Sequence, residues 1–258
     1  MADRSVRSPD PFQGLRDATP ARIGLGRAGQ ALPTAPLLAL QLAQARARDA
    51  VDATLDVATI VAALDRPALV VASAAPDRET YLRNPDLGRV LRAAEASLPP
   101  GDHDLVVVIA DGLSATAVNN HAAPLAKALL ARLDGWSVAP IVLVRQGRVA
   151  IGDPIGAALG ARAVVVLIGE RPGLSTPHSL SAYLTWAPRP GRRDGERNCV
   201  SNIHEPRGLA VNLAADRIAW LLREARRLGF SGVDLKDRSD AVAGLPPLAE
   251  TRLLDGAG

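Results

Sequence analysis

Residues 163–173 read Ala163-Val-Val-Val-Leu-Ile-Gly-Glu-Arg-Pro-Gly173. A continuous aliphatic run bounded by Gly and Pro is typical of a strand that is buried on both faces of a parallel sheet. In such sheets the carboxyl ends of the strands line the crevice where ligands bind. Gly169 and the Pro172-Gly173 pair predict a sharp turn that presents Glu170, and a long polar loop that reaches Cys199 is predicted to follow it. Glu170 is therefore either a functional carboxylate or an ordinary exposed side chain.

The same kind of run recurs along the chain and alternates with segments of helical spacing. Strands are predicted at residues 68–73, 105–110, 139–144 and 163–168, and helices at 85–98, 121–133, 153–159 and 207–228. Alternating strands and helices indicate βαβ units with right-handed crossovers. The fold class predicted is α/β, Rossmann-like, with a mostly parallel sheet flanked by helices and with an N-terminal helical extension.

Four regions are predicted. Residues 1–20 are charged and lack an apolar period, which indicates a flexible tail. Residues 21–66 form an N-terminal helical segment with Thr34 as a candidate N-cap, residues 67–235 the α/β domain, and residues 236–258 a polar C-terminal tail. The Gly-rich stretch 22–29 resembles a phosphate loop superficially, but no strand precedes it, so a flexible or partner-contacting loop is the better interpretation.

Composition excludes several classes of function. A net charge of +3 and 3% aromatic residues argue against a nucleic-acid binder. No apolar run reaches the roughly 20 residues that span a bilayer, and the first residues lack a secretory signal, so a cytoplasmic protein without membrane contact is expected. A single cysteine excludes an internal disulfide, and without CxxC or HExxH a protein-only zinc site is not expected.

Other polar residues near strand exits have simpler interpretations. Asp111 and Ser114 are expected to bond nearby backbone groups, Ser114 as a helix cap. Cys199 is read as a small packed side chain rather than a nucleophile, because His204 nearby in sequence does not by itself establish a dyad. No Walker A motif, nucleophile elbow or well-placed GxGxxG occurs. The residues alone indicate a ligand-binding α/β domain.

Six short motifs in a fixed order carry a more specific signal: Tyr81-Leu82 with Pro85-Asp-Leu-Gly-Arg89, Ile109-Ala-Asp-Gly-Leu-Ser114, Gly147-Arg-Val149, Gly169-Glu-Arg-Pro-Gly-Leu174, Ser179-Leu-Ser-Ala-Tyr183, and Cys199-Val-Ser-Asn-Ile-His204. Together they resemble the small subunit of ethanolamine ammonia-lyase, from about residue 21 to about residue 235. The chain departs from the usual pattern at residues 83–84 and 204–207.

The resemblance implies an adenosylcobalamin-dependent lyase that converts ethanolamine to acetaldehyde and ammonia. Homolysis of the cobalt–carbon bond gives an adenosyl radical, which takes hydrogen from the carbinol carbon before the amine migrates and ammonia leaves. It further implies a hexamer of heterodimers, in which the large subunit binds substrate and the small subunit covers part of the cofactor. Residence in a bacterial microcompartment is implied by the resemblance only. The chain lacks the Asp-x-His-x-x-Gly signature, so the cofactor's own base is expected to remain its lower ligand.

By matching motifs, the resemblance places cobalamin contacts on Val149, Glu170 and Cys199, and it implies no catalytic residue in this chain. Two alternatives stay open: a stand-alone Rossmann-like enzyme that uses a nucleotide or an activated Cys199, and a purely structural subunit without cofactor contact.

Overall fold

The structure is a computed structural model that describes residues 10–95 and 98–239. The α-helices of the described residues are α1 (Gln13–Ala18), α2 (Thr34–Asp52), α3 (Val57–Leu64), α4 (Arg78–Arg83), α5 (Ala115–Leu130), α6 (Gly152–Ala158) and α7 (Val211–Leu228). The strands are β1 (Ala68–Ala72), β2 (His103–Ala110), β3 (Ile141–Arg145), β4 (Ala161–Gly169), β5 (Leu180–Trp186) and β6 (Arg197–Ile203). The predicted α/β class is confirmed.

The strands form one mixed sheet of six in the order β1-β3-β2-β4-β5-β6. The pairs β1–β3, β3–β2 and β2–β4 are parallel, and β4–β5 and β5–β6 are antiparallel. A Rossmann sheet has the order 3-2-1-4-5-6. The Rossmann-like topology is therefore not confirmed, because here β3 lies between β1 and β2 and β5 runs antiparallel to both of its neighbours.

The parallel strands β2, β3 and β4 are apolar over most of their length because both faces of the sheet are covered there. On β2, Leu105, Val107 and Ile109 belong to the core shared with α3, α5 and α7. The intervening residues Val106 and Val108 belong to the core on the opposite face, with Ile155 of α6. This two-sided burial is the reason that the runs show no alternation of apolar and polar residues.

The predicted helix at 85–98 is wrong. Short 3₁₀ helices occupy Pro85–Arg89 and Ala93–Glu95. Between them the chain is extended beside the end of β1: the Ala74 amide donates to the Val90 carbonyl at 2.8 Å, and the Arg92 amide donates to the Ala72 carbonyl at 3.1 Å. These residues pair with a strand end, so a continuous helix is excluded.

The predicted polar loop between residue 174 and Cys199 is also wrong over most of its length. Its larger part is the β5–β6 hairpin, and Cys199 lies on β6, opposite Tyr183. The side chains of β5 alternate: Leu180, Ala182 and Leu184 enter the core, and the residues between them lie on the other face. This period of two is the strand signal that was missed.

The predicted N-terminal segment 21–66 contains the helices α2 and α3, and residues 21–33 before them are not helical. α2 begins at Thr34, but Pro33 is its N-cap and no side chain caps it, so the N-cap role of Thr34 is wrong. Within the predicted tail 1–20, residues 13–18 form α1. Residues 1–9 of that tail, and residues 240–258 of the C-terminal one, lie outside the described residues. Among the described helices, none has the length and apolarity to cross a bilayer.

Candidate functional site

A cleft of about 430 Å³ opens at the carboxyl ends of β2, β3 and β4 and extends over one face of β5 and β6. Val149, Glu170 and Cys199, the three residues predicted by motif matching, all line it. The other lining residues are Tyr81, Gly112, Leu113, Arg148, Ile168, Gly169, Arg171, Ser181, Tyr183 and Ser201. Val149 and Cys199, 50 positions apart in sequence, thus share one cavity: Val149 follows the exit of β3, and Cys199 lies within β6.

Glu170 is held by one of its two carboxylate oxygens. Its Oε1 accepts from the Ser181 hydroxyl at 2.6 Å and from the Asn202 amide at 2.8 Å. The Glu170 amide donates to the Ser179 carbonyl at 2.9 Å, which fixes the backbone of the turn. Within the described residues, Oε2 accepts no hydrogen bond. The half-buried Glu170 therefore presents one oriented acceptor in the cleft.

Asp111 at the exit of β2 is arranged differently. It is 5% exposed, and its Oδ2 and Oδ1 accept from the amides of Gln146 at 2.8 Å and Gly147 at 3.0 Å. Burial is the largest influence and raises the pKa of Asp111, although the two amides oppose it. The expectation of bonds close in sequence holds only in part for Asp111: the adjacent Gly112 backbone also lowers its pKa, but the Gln146 and Gly147 amides belong to the turn after β3. Asp111 ties the exits of β2 and β3 together.

Ser114 behaves as predicted. Its Oγ accepts from the Ala117 amide at 3.2 Å and so caps α5. The hydroxyl also donates to the Pro177 carbonyl at 2.9 Å, which links the cap to the loop before β5. Gly169 packs against this cap so closely that a Cβ there would overlap the Ser114 carbonyl. Glycine is therefore required just before Glu170, and it allows the exits of β2 and β4 to approach each other.

The turn after β3 supplies Val149. The backbone of this turn finds partners at the sheet edge: besides the two bonds to Asp111, the Arg148 amide donates to the Gly88 carbonyl at 2.7 Å. Val149 then begins a short 3₁₀ helix, Val149–Ile151, and packs partly buried against the core. It offers the cleft an apolar side chain on a fixed backbone.

Cys199 and Tyr183 pair across β5 and β6 on the face that forms the cleft floor. Burial is the largest influence and raises the pKa of the Cys199 thiol; the Glu170 carboxylate adds to this, and side-chain hydrogen bonds with Tyr183 and Ser181 oppose it. Burial likewise raises the pKa of Tyr183 to about 12. Because a nucleophilic cysteine needs a lowered pKa, this environment disfavours an activated thiolate. The expectation of a packed side chain is wrong, however, because Cys199 is exposed in the cleft.

His204 does not activate Cys199. Its Nε2 contacts Asn202 Oδ1 at 3.0 Å, and its ring packs against that of His178, with centroids 5.8 Å apart. His121 lies 5.9 Å from His178 on the other side. No hydrogen bond joins Cys199 to a histidine in the part of the chain that the structure describes, and no group of three His, Cys, Asp or Glu side chains there has the arrangement of a metal site.

Sequence reasoning assigned no role in the site to Tyr81, Arg148, Ser181 and Tyr183, all of which line the cleft. Each lies in one of the motifs that carried the resemblance. The signal for Ser181 and Tyr183 was the alternation on β5, which places both on the face opposite to Leu180. No pattern in the sequence indicates that Tyr81 and Arg148, 67 positions apart, are in contact.

Comparison with known proteins gives a consistent result. The family model described as "Ethanolamine ammonia-lyase light chain (EutC)" matches residues 9–236. A protein of Azotobacter vinelandii named ethanolamine ammonia-lyase small subunit is 52% identical over 270 aligned positions, which cover 100% of this chain and 96% of the relative. Proteins of the same name from Ralstonia nicotianae and Pseudomonas putida are 52% and 49% identical, over 90% and 92% of both chains.

Proposed function

Because this chain belongs to the ethanolamine ammonia-lyase light-chain family, we propose that its cleft contacts adenosylcobalamin at an interface with the large subunit of the enzyme. The activity of the family is that of an ammonia-lyase acting on ethanolamine, and this chain is its small subunit. The proposal adds the cofactor, the three contact residues and the arrangement of the subunits, a hexamer of heterodimers.

The observation that carries the proposal is the free oxygen of Glu170 in the same cleft as Val149 and Cys199. Primary amides surround the rim of a corrin ring, and each amide nitrogen donates two hydrogen bonds. The hydrogen bonds to Oε1 fix the orientation of the carboxylate, and its free, charged oxygen Oε2 is a strong acceptor for such donors. The apolar Val149 and the exposed, neutral thiol of Cys199 suit the hydrocarbon edge of the ring.

The shape of the site supports a covering role. The cleft is open on one side, so a bulky planar ligand would remain partly uncovered by this chain alone. When bound, the cofactor supplies the radical that starts the reaction. The residues of this chain hold and orient it and limit the access of water; the cleft contains no activated nucleophile, since the pKa of its only thiol is raised. We assign no catalytic residue here.

The surface of α2 supports a large partner. Only Ala50 of its 19 residues is buried. Leu37, Leu38 and Leu42 lie on it with 39%, 58% and 51% of their surface exposed. Exposed apolar side chains that cluster on one helix are a mark of protein interfaces. The large subunit is the occupant that the family implies for this surface.

The alternative of a stand-alone enzyme is less well supported. The strand order is not that of a Rossmann fold, and the environment of Cys199 disfavours a thiolate. Purifying the chain alone, and separately with its large subunit, distinguishes the two. We expect ethanolamine deamination and tight uptake of adenosylcobalamin only from the mixture. Activity of the isolated chain, or no gain on mixing, would contradict the proposal.

A further inference from the structure

Arg148 in the wall of the cleft is a cation without a counter-charge. Its Cζ lies 4.4 Å above the centre of the Tyr81 ring. Its Nε is buried and has no hydrogen-bond partner. Within the described ranges, no carboxylate forms an ion pair with Arg148, and the Arg148 side chain donates no hydrogen bond to another described residue. A partly desolvated guanidinium of this kind favours an anionic ligand.

The buried ring of Tyr81 fixes the position of the Arg148 guanidinium. Tyr81 is fully buried, and its hydroxyl donates to the Gly147 carbonyl at 2.9 Å. Burial is the largest influence and raises the pKa of Tyr81 to about 12, so the ring is neutral and provides stacking without neutralising the charge. The Arg148 amide is itself bonded to the Gly88 carbonyl. Arg148 is thus a donor fork on a rigid platform.

The surrounding charges leave this cation free. A second cavity of about 290 Å³ adjoins the cleft and shares Arg148, Val149 and Tyr183 with it. In the second cavity, Arg197 is neutralised by the buried Asp153 at 2.7 Å. Asp194 lies 3.6 Å from Arg197.

The two other arginines that line the cavities, Arg89 and Arg171, are both exposed. Arg89 faces Asp86 at 3.7 Å, and both are well exposed. Arg171 lines the cleft next to Glu170, whose Oε1 is occupied by Ser181 and Asn202. The two cavities therefore form a trough with an acceptor, Glu170, at one end and an unpaired fork of donors, Arg148, near its middle.

We propose that Arg148 binds a phosphodiester anion of the ligand in this trough, namely the phosphate of the nucleotide tail of the cobalamin. The inference rests on the proposed function. A guanidinium matches two phosphate oxygens with two parallel hydrogen bonds. The phosphodiester is the one group in the nucleotide tail that carries a full negative charge at neutral pH. Glu170 would then hold the neutral amide rim, and Arg148 the anionic tail.

The test compares two ligands on the reconstituted complex, by equilibrium titration followed through the corrinoid absorption spectrum. Adenosylcobalamin has the nucleotide tail, whereas adenosylcobinamide lacks both the phosphodiester and the base. We expect Arg148→Gln to weaken adenosylcobalamin binding about tenfold or more, as for loss of a charged hydrogen bond, and to leave adenosylcobinamide binding unchanged. Arg148→Lys keeps the charge and should lose less than Arg148→Gln.

Arg227→Gln is the matched control, because Arg227 lies on α7, pairs with Glu224 and does not line the trough. It should change neither affinity. The inference would be overturned if Arg148→Gln weakened the binding of both ligands equally or of neither. If this variant instead weakened the association of the subunits and left the ratio of the two ligand affinities unchanged, Arg148 would be assigned to a carboxylate of the large subunit. If the wild-type complex bound neither ligand, the proposed function itself would fail. The wild-type titrations remain decisive if Arg148→Gln does not fold, since equal affinity for both ligands would exclude a phosphate subsite.

Discussion

The neighbouring strands β2 and β4 both end in an aliphatic run that is followed by a carboxylate next to a glycine. The carboxylate is Asp111 at the exit of β2 and Glu170 at the exit of β4. Asp111 is buried, and both of its oxygens accept backbone amides from the exit of β3. Glu170 is half-buried, and one oxygen takes both of its bonds while the other stays free in the cleft. Similar local sequence therefore gives a carboxylate that stabilises the fold in one place and a carboxylate available to a ligand in the other.

The difference depends on how many acceptor sites the fold consumes. A carboxylate whose two oxygens are both bonded to buried amides cannot be removed without leaving those donors unsatisfied. A carboxylate fixed through one oxygen is oriented and still able to bind. The four predictions below test this contrast between Asp111 and Glu170, in order of decreasing effect.

The largest effect is expected on removing the structural carboxylate. Asp111→Ala leaves the amides of Gln146 and Gly147 without acceptors in a buried site, and each unsatisfied donor costs about 1–3 kcal/mol of stability. Thermal unfolding of the complex should show a clear loss of stability. Asp111→Asn retains one acceptor and should lose less. Asp102→Ala is the control, because the Asp102 side chain is 87% exposed and its carboxylate lies 3.8 Å from Arg162. Equal melting temperatures for Asp111→Ala and this control would contradict a structural role of Asp111.

The second prediction concerns the free oxygen of Glu170. Glu170→Gln keeps an oxygen to accept from Ser181 and Asn202 and replaces the free acceptor by a donor. We expect the free energy of adenosylcobalamin binding to become less favourable by about 1.5–3 kcal/mol, the range for a hydrogen bond to a charged group. The free energy of unfolding should be almost unchanged. Glu224→Gln, on α7 and outside the cleft, is the matched control. An unchanged dissociation constant would favour a purely structural subunit.

A smaller effect is expected from the residue that orients Glu170. Ser181→Ala removes one of the two donors to Oε1 and leaves the Asn202 amide in place. Loss of one such bond should weaken cofactor binding by about 1 kcal/mol, roughly fivefold. In a double-mutant cycle with Glu170→Gln the two losses should not add, because both act on the same carboxylate. Full additivity would mean that Ser181 acts on the ligand independently of Glu170.

The smallest effect concerns the thiol beside Glu170. Because burial raises the pKa of Cys199, less thiolate is present near neutral pH than in a free cysteine, and the reaction with iodoacetamide should be slow. The rate should increase only as the pH rises above the usual thiol range, and it should be faster in the unfolded chain. A rate that reaches its plateau below pH 7 would indicate an activated thiolate and would revive the alternative of a Cys199-dependent enzyme.

The parallel half of the molecule was predictable from sequence, and the antiparallel half was not. Continuous apolar runs such as residues 105–110 and 163–168 identify doubly covered strands by composition alone. The β5–β6 hairpin has polar residues on one face because that face forms the cleft, and its polarity was mistaken for that of a loop. The reason is physical: a strand that contributes one face to a binding site carries polar side chains there, so it lacks the continuous apolar run of a strand buried on both faces.

The three candidate contacts were obtained by matching motifs, and the fold places them in one cavity. The partners of those residues could not be obtained in this way. The bond from Ser181 to Glu170 depends on the antiparallel register of β4 with β5, in which Ile168 pairs with Ser181. The stacking of Arg148 on Tyr81 depends on the packing of the turn after β3 against α4. Register and loop contacts arise from tertiary packing, which local sequence does not encode.

The most direct test of the contrast between the two exits is a structure of the reconstituted complex with adenosylcobalamin. The distance to measure joins the free oxygen of Glu170 to the nearest amide nitrogen of the corrin rim. We predict a hydrogen bond of about 2.7–3.2 Å, with Asp111 still bonded only to the β3 turn. A corrin seated away from the cleft, or Glu170 bonded to the large subunit with no corrin amide in reach, would contradict the account.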